Sequence, residues 1–359
     1  MKKICVVTTS FAKGGAERSS AILTQMLYRL GYEVYVLMTK NDIDYEFSGI
    51  PFNLEKNYGS GLSEFKKIKI LRAYFKKHDF DVMIDNRARS GFIKDYILYN
   101  FVFKAKKKIA VVRSFCLKTY FPSNRCLTRL LYKNKSILVA VSQEIKDAVV
   151  ETYGLHNTKL IYNAVGMDAI TDKADEQISL DENFILWYGR IDESVKNLTL
   201  LLMAYKKSIL PKNNIKLYII GQGKDVPFLN EKIQDLQFKE NVQHMPFLKN
   251  PFPYVKKAKF TTLTSHYEGF PRVLIESFVC GTPVISVDCK SGPKEIITHG
   301  YNGLLVENHN VAALANAFNS FIEDKSLYMA CKKNTKASVD KYSMENIAED
   351  WRALIENDI

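Results

Sequence analysis

The stretch TTLTSHYEGFPRVLIESFVCGTPVISV, residues 261–287, reads as strand, loop, helix and strand. A β-branched run ends at Ser265 and a loop carries Glu268-Gly269-Phe270. Pro271 suits the first turn of a helix, Gly281 closes that helix, and Val284 begins the next strand. Open α/β sheets bind ligands in loops at the carboxyl ends of their parallel strands, and a helix start adds free N–H groups for anions. Glu268 is expected at that mouth. Glu276, eight residues on, falls inside the helix, so two carboxylates can grip different parts of one ligand.

Outward from this block, short β-branched runs alternate with amphipathic stretches, the pattern of parallel sheets covered by helices. The first half predicts strands at 4–9, 33–38, 82–85, 109–113 and 137–142, with helices at 16–30 and 143–153 ending at Gly31 and Gly154. After 159–161 a polar, acidic tract lacks periodicity. The second half predicts strands at 184–188, 216–220, 242–244, 260–264, 284–287 and 303–306. The division is therefore an amino-terminal domain over 1–166, a linker over 167–182, a second domain over 183–343, and a last helix in 344–359 able to fold onto either half.

A chain of 359 residues, 47% hydrophobic and 25% charged, suits two folded domains of common size. Its six cysteines show no C-x-x-C pairing, which suggests neither a disulfide framework nor a zinc site and fits a reducing cytoplasm. The start MKKICVVTTSFAKGG runs into a glycine turn and reads as a first strand rather than a signal peptide. No run of ~18 apolar residues predicts a membrane span. Residues 1–166 hold 28 Lys/Arg against 14 Asp/Glu, and the remainder 23 against 25. Only the first half is expected to meet an anionic partner: a membrane surface, a phosphorylated substrate or a nucleic acid. The segment EFKKIKILRAYFKK, residues 64–77, puts Ile68, Leu71, Tyr74 and Phe75 on one helix side and Lys66, Lys69, Arg72, Lys76 and Lys77 on the other.

The block around Glu268 and Glu276 resembles the retaining glycosyltransferases of family 4, whose signature is a Glu, seven residues, then a second Glu in an EGFP-type setting. WYGRID with Gly189-Arg190, followed by Lys196-Asn197, looks like the family's GR…K segment. Gly14-Gly15-Ala16-Glu17 is similar to its amino-terminal glycine loop, LIYNAV around Asn163 to its crossing between domains, and Gly221-x-Gly223 to a glycine turn after a later strand. The resemblance implies an α/β fold of the GT-B type, with two facing Rossmann-like domains of parallel sheet and a deep interdomain cleft. It implies that Arg190 and Lys196 contact a donor diphosphate, Glu268 the sugar hydroxyls and Glu276 the ribose. Gly269, Phe270, Pro271 and Gly15 would line the donor, and Gly14 and Arg113 the acceptor. Lys196 departs from the family by following Arg190 at six residues instead of the common five. Many members carry a histidine where VVRSFCLK offers Arg113 and Ser114; Arg113 would bind an acceptor phosphate or pair with a carboxylate.

The expected reaction moves a hexose or N-acetylhexosamine from a nucleoside diphosphate, UDP by preference, to a hydroxyl of a lipid-linked surface-polysaccharide acceptor, with retention. The nucleotide sugar is a co-substrate, so no cofactor is expected. The pairs Asp42/Asp44 and Asp79/Asp81 have metal-type spacing but no strand end to deliver them, and no metal is expected. An epimerase of the same build is the rival enzyme. A nucleic-acid-binding protein would explain the basic half, but no helix-turn-helix, RNA-binding aromatic signature or zinc module accompanies it. The expected place is the cytoplasm, peripheral on the inner face of an anionic membrane.

Overall fold

The computed structural model describes residues 1–357 apart from 13, 90, 179, 181, 182 and 236–238. It divides into two units, one made of Met1–Ala164 with the chain from Met344, the other of Val165–Ser343.

The first unit carries β1 (Lys3–Thr8), β2 (Glu33–Met38), β3 (Ile50–Asn53), β4 (Phe80–Asp85), β5 (Ala105–Val112), β6 (Ile137–Ala140) and β7 (Thr158–Leu160). Its helices include α1 (Gly15–Arg29), α2 (Glu64–His78), α3 (Phe92–Ile97, continuing into a π-helical turn Leu98–Val102), α4 (Arg125–Tyr132) and α5 (Gln143–Tyr153). The seven strands form one sheet in the order β3-β2-β1-β4-β5-β6-β7, parallel throughout. Near-continuous burial of β1, β2, β4 and β6 reflects helices on both faces. Two strands depart from the sequence pattern. β3 is an edge strand, IPFN, whose Ile50 is exposed, so it lacks a buried run. β5 begins four residues earlier than expected, because Lys106 points to solvent while the carboxyl half is buried. The C-terminal helix Met344–Glu356 buries Ile347, Ala348, Trp351 and Ile355 and packs on α1 of this unit.

The second unit has β8 (Phe184–Arg190), β9 (Lys216–Gln222), β10 (Val242–Met245), β11 (Thr261–Leu263), β12 (Val284–Val287) and β13 (Gly303–Val306), all parallel in the order β10-β9-β8-β11-β12-β13. Its helices include α6 (Met167–Ala174), α7 (Glu193–Lys196), α8 (Leu198–Lys207) and α9 (Arg272–Val279). The irregular linker expected over 167–182 is corrected in part. α6 buries Ile170 and Ala174, one turn apart, against the helices Phe252–Lys257 and Arg272–Val279. Two apolar residues give too short a periodicity to be read from sequence. Linker positions 179, 181 and 182 lie outside the described residues.

Both sheets reverse direction at their first strand. β1 separates β2 from β4, and β8 separates β9 from β11. In such sheets the crevice at the carboxyl ends beside the reversal is where ligands bind. That places the segments after β1 and β4 in the first unit, and after β8 and β11 in the second, in the functional positions.

Candidate functional site

β11 ends at Leu263, and the next eight residues form a loop pinned on both sides. The Glu268 N–H donates to Lys290 O at 2.9 Å, and Ser291 Oγ donates to Gly269 O at 2.5 Å. Gly292, at φ 105°, lies so close that a Cβ on it would stand 2.3 Å from Pro271 Cδ. Only glycine permits that approach. Phe270, expected at the donor, has its ring buried against Tyr342 at 5.2 Å, edge to face. The ring is therefore a wedge under the loop. Pro271 is also buried and stands one residue before the helix, at the cap of α9.

The structure brings Lys196 and Glu268 together. Lys196 Nζ lies 2.6 Å from Glu268 Oε1, with 17% and 12% of the two side chains exposed. Ser265 Oγ donates to the same oxygen at 2.6 Å. The supporting backbone is zipped: His266 N–H donates to Val195 O at 2.8 Å and Thr264 Oγ1 to Lys196 O at 2.9 Å. The spacing of six from Arg190 is absorbed by the single turn α7, after which Asn197, at φ 50°, reverses the chain and caps α8 through its side chain. Ser265 carries no motif of its own, and its role emerges only from this contact.

Arg190 closes β8 with 63% of its side chain exposed, 3.9 Å from Asp192. Burial opposes ionisation of Asp192, yet Ser194 and Lys224 hydrogen-bond it and keep its pKa below the ordinary value. Arg190 and Glu268 thus sit at the ends of the neighbouring strands β8 and β11. Beside them, Cβ atoms on Gly221 and Gly223 would stand 1.9 Å from the carbonyls of Gly189 and Ile191 respectively. Gly221 lies within β9 rather than in a turn after it, and its glycine lets the two strand ends close on each other.

Glu276 rides in α9, buried, with Arg272 Nη2 3.3 Å from its Oε1. Arg272 was not foreseen, although an i, i+4 pair of opposite charge is a legible helix signal.

In the first unit Gly14 caps α1 in an extended conformation without a side-chain cap, and Gly15 opens the helix. A Cβ on Gly14 would meet Glu17 Oε2 at 2.1 Å, so the Glu17 carboxylate lies over the positive helix end. Arg113 follows β5. Its Nη2 donates to Asn86 Oδ1 at 2.8 Å and its Nη1 to Asn163 Oδ1. Asn86, just beyond β4, keeps a buried Nδ2 with no protein acceptor among the described residues. The same strand end holds a buried ionic set missed in the sequence. Arg87 grips Asp85 through Nε and Nη2, both at 2.9 Å, Tyr99 donates to Asp85 Oδ2 at 3.0 Å, and Arg89 donates to Val111 O at 2.9 Å. Nearby Asp95 is buried, and its pKa is pushed up to about 6, by burial first and by Asp85 in part.

Asp81 sits at the amino end of β4, bound to Lys106 and the Lys3 N–H. Asp79 ends α2 in the left-handed region. Among the described residues no three His, Cys, Asp or Glu side chains gather as a metal site, and no helix is long and apolar enough to cross a membrane.

Comparison with known proteins matches residues 13–168 to Glycosyltransferase Family 4 and residues 168–338 to Glycosyl transferases group 1. The chain is 30% identical, over 98% of both chains, to the Campylobacter jejuni N-acetylgalactosamine-N,N'-diacetylbacillosaminyl-diphospho-undecaprenol 4-alpha-N-acetylgalactosaminyltransferase. It is 27% identical, over 99% of this chain and 98% of the other, to a second enzyme of that organism, GalNAc-alpha-(1->4)-GalNAc-alpha-(1->3)-diNAcBac-PP-undecaprenol alpha-1,4-N-acetyl-D-galactosaminyltransferase. Among solved structures, Anabaena HepE in complex with UDP and glucose shares the fold at a TM-score of 0.79 and 19% identity, over 99% of both chains.

Proposed function

The chain belongs to the GT-B glycosyltransferases, and on that premise we propose that it transfers a hexose or N-acetylhexosamine from a nucleoside diphosphate, UDP by preference, to a hydroxyl of a lipid-linked saccharide, with retention. The observation that carries this reading is the contact of Lys196 with Glu268 beyond the carboxyl end of β11, with Arg190 closing the neighbouring strand β8. The lipid-linked acceptor is drawn from the two Campylobacter relatives, whose names specify undecaprenol-linked saccharides. UDP is drawn from HepE.

Transfer breaks the bond between the anomeric carbon and the diphosphate oxygen, and the electron pair leaves with the nucleotide. Arg190, exposed and planar, and Lys196, a compact point charge, are aimed at that developing charge. The acceptor hydroxyl forms the new bond on the same face, and its proton passes to the departing phosphate oxygen. Glu268 orients the sugar through its hydroxyls, and Glu276 takes the ribose once it turns from Arg272. The backbone of Gly269, Phe270 and Pro271 lines the donor. On the acceptor side, Gly14, Arg113 and the open Nδ2 of Asn86 suit a phosphate. The two cations take the part that a divalent ion plays in other transferases. A turnover abolished by chelator and restored by magnesium would contradict that division.

The protein works at a membrane surface on the cytoplasmic side, where such acceptors are anchored. Protection against melting by a panel of nucleotide sugars tests the donor class, because a ligand stabilises by the logarithm of its concentration over its Kd. One UDP-sugar is expected to stand out. No shift with any sugar nucleotide would overturn the reading.

A further inference from the structure

α2 buries Leu71, Tyr74 and Phe75, and the opposite face is exposed along its whole length. At 100° per residue, Phe65, Lys69, Arg72 and Lys76 align within a narrow stripe: one aromatic tip followed by three cations. Phe65 is 77% exposed, which no core requirement explains. Lys94 Nζ bonds Glu64 Oε2 at 2.8 Å and ties the start of α2 to α3. There Ile93 is 74% exposed, and in the following π-helical turn Phe101 is 52% exposed. Tyr96 packs between Phe92 and Phe101, its ring 5.8 Å and 6.4 Å from theirs. Lys135 stands 5.7 Å over the Tyr96 ring, and Lys104 bonds Asn100 O at 3.2 Å. Scattered apolar residues on a surface need no account, but three large ones on adjoining basic elements do.

Both chemistries match one partner. Basic residues are drawn to anionic lipid headgroups, and aromatic and aliphatic tips insert at the boundary between headgroup and acyl chain. The charge balance agrees, since residues 1–166 hold 28 Lys/Arg against 14 Asp/Glu. A nucleic acid would satisfy the cations but not Ile93.

We infer that Phe65, Ile93 and Phe101 insert into an anionic bilayer while Lys69, Arg72, Lys94 and Lys104 bind its headgroups. The inference rests on the reading of a lipid-linked acceptor for its setting, but its test needs no sugar nucleotide. The combined Phe65→Ser, Ile93→Ser and Phe101→Ser variant is sedimented with vesicles of phosphatidylcholine alone and with phosphatidylglycerol added. Wild type is expected on the anionic vesicles, retaining binding in high salt, and the variant at ~10-fold lower affinity or less, with the remainder removed by salt. Donor hydrolysis without vesicles stays at the wild-type rate, which shows that the variant is folded. Phe65→Trp is then quenched by brominated lipid over a constant background, since Trp187 and Trp351 are 2% and 3% exposed.

Equal vesicle binding by wild type and the triple variant, or an unquenched Phe65→Trp, overturns the inference. So does a variant that alters only the sedimentation coefficient, which makes the face a contact between two copies of the chain. Failure of wild type to hydrolyse any nucleotide sugar would strike the enzymatic reading alone and leave the vesicle result standing.

Discussion

Lys196 Nζ stands 2.6 Å from Glu268 Oε1, on the oxygen that Ser265 also reaches. The carboxylate is thus held twice through one oxygen. On the proposed reaction, donor diphosphate would compete with Glu268 for Lys196, and with the lysine turned to phosphate, Ser265 alone would keep the carboxylate oriented. Ground-state pairing and donor binding are therefore alternatives for one cation.

Lys196→Ala is expected to weaken donor binding and turnover. It also leaves a mostly buried carboxylate with one hydroxyl partner, a cost of about 1–2 kcal/mol after allowing for residual solvent contact. The double variant Lys196→Ala/Glu268→Gln should recover the melting temperature but not the activity. A single variant as stable as wild type would show that the pair does not hold in solution.

Ser265→Ala tests orientation apart from binding. On the proposed reading free UDP would touch only the phosphate side, so its Kd should change by roughly twofold at most. Turnover should fall about tenfold, or about 1.4 kcal/mol, and Ser265→Thr should restore part of it. If affinity for UDP and turnover fall together, Ser265 has only a structural part.

Asp95 offers a pH test of the first unit. Its folded-state pKa, raised from 3.8 to about 6, lies above the unfolded value, so the folded state binds the proton more tightly. Its stabilising share is complete below the unfolded pKa and lost as pH rises through about 6. Asp95→Asn should then be more stable than wild type at pH ~8 by roughly 2–3 kcal/mol, an advantage that shrinks toward pH ~4. Urea midpoints across that window read it directly. A gain independent of pH would contradict the assignment.

What the sequence disclosed is uneven, for physical reasons. The turn from β11 through Glu268 into α9 was legible because Pro271 and Gly281 punctuate it and both neighbouring strands are buried runs. β3 was not, since an exposed edge strand with a proline carries no buried periodicity. The places of Arg190 and Lys196 after β8 were legible from the resemblance of WYGRID to a known motif, despite the extra residue between them. Ser265, Arg272 and Asn86 were not, because a hydroxyl, an internal ion pair or an amide acquires a role only when the fold supplies its partner. The packing of the Phe270 ring was not legible for a related reason: an aromatic in a loop shows its partner, Tyr342, only in the fold.

Turnover of nucleotide sugar by Arg190→Ala tests the central claim most directly. Arg190 closes β8 with its side chain mainly in solvent, so the variant should fold and melt as wild type does. Removing a cation aimed at leaving-group charge is predicted to lower the rate by ~100-fold or more. A well-folded variant that transfers or hydrolyses sugar at the wild-type rate would contradict the account.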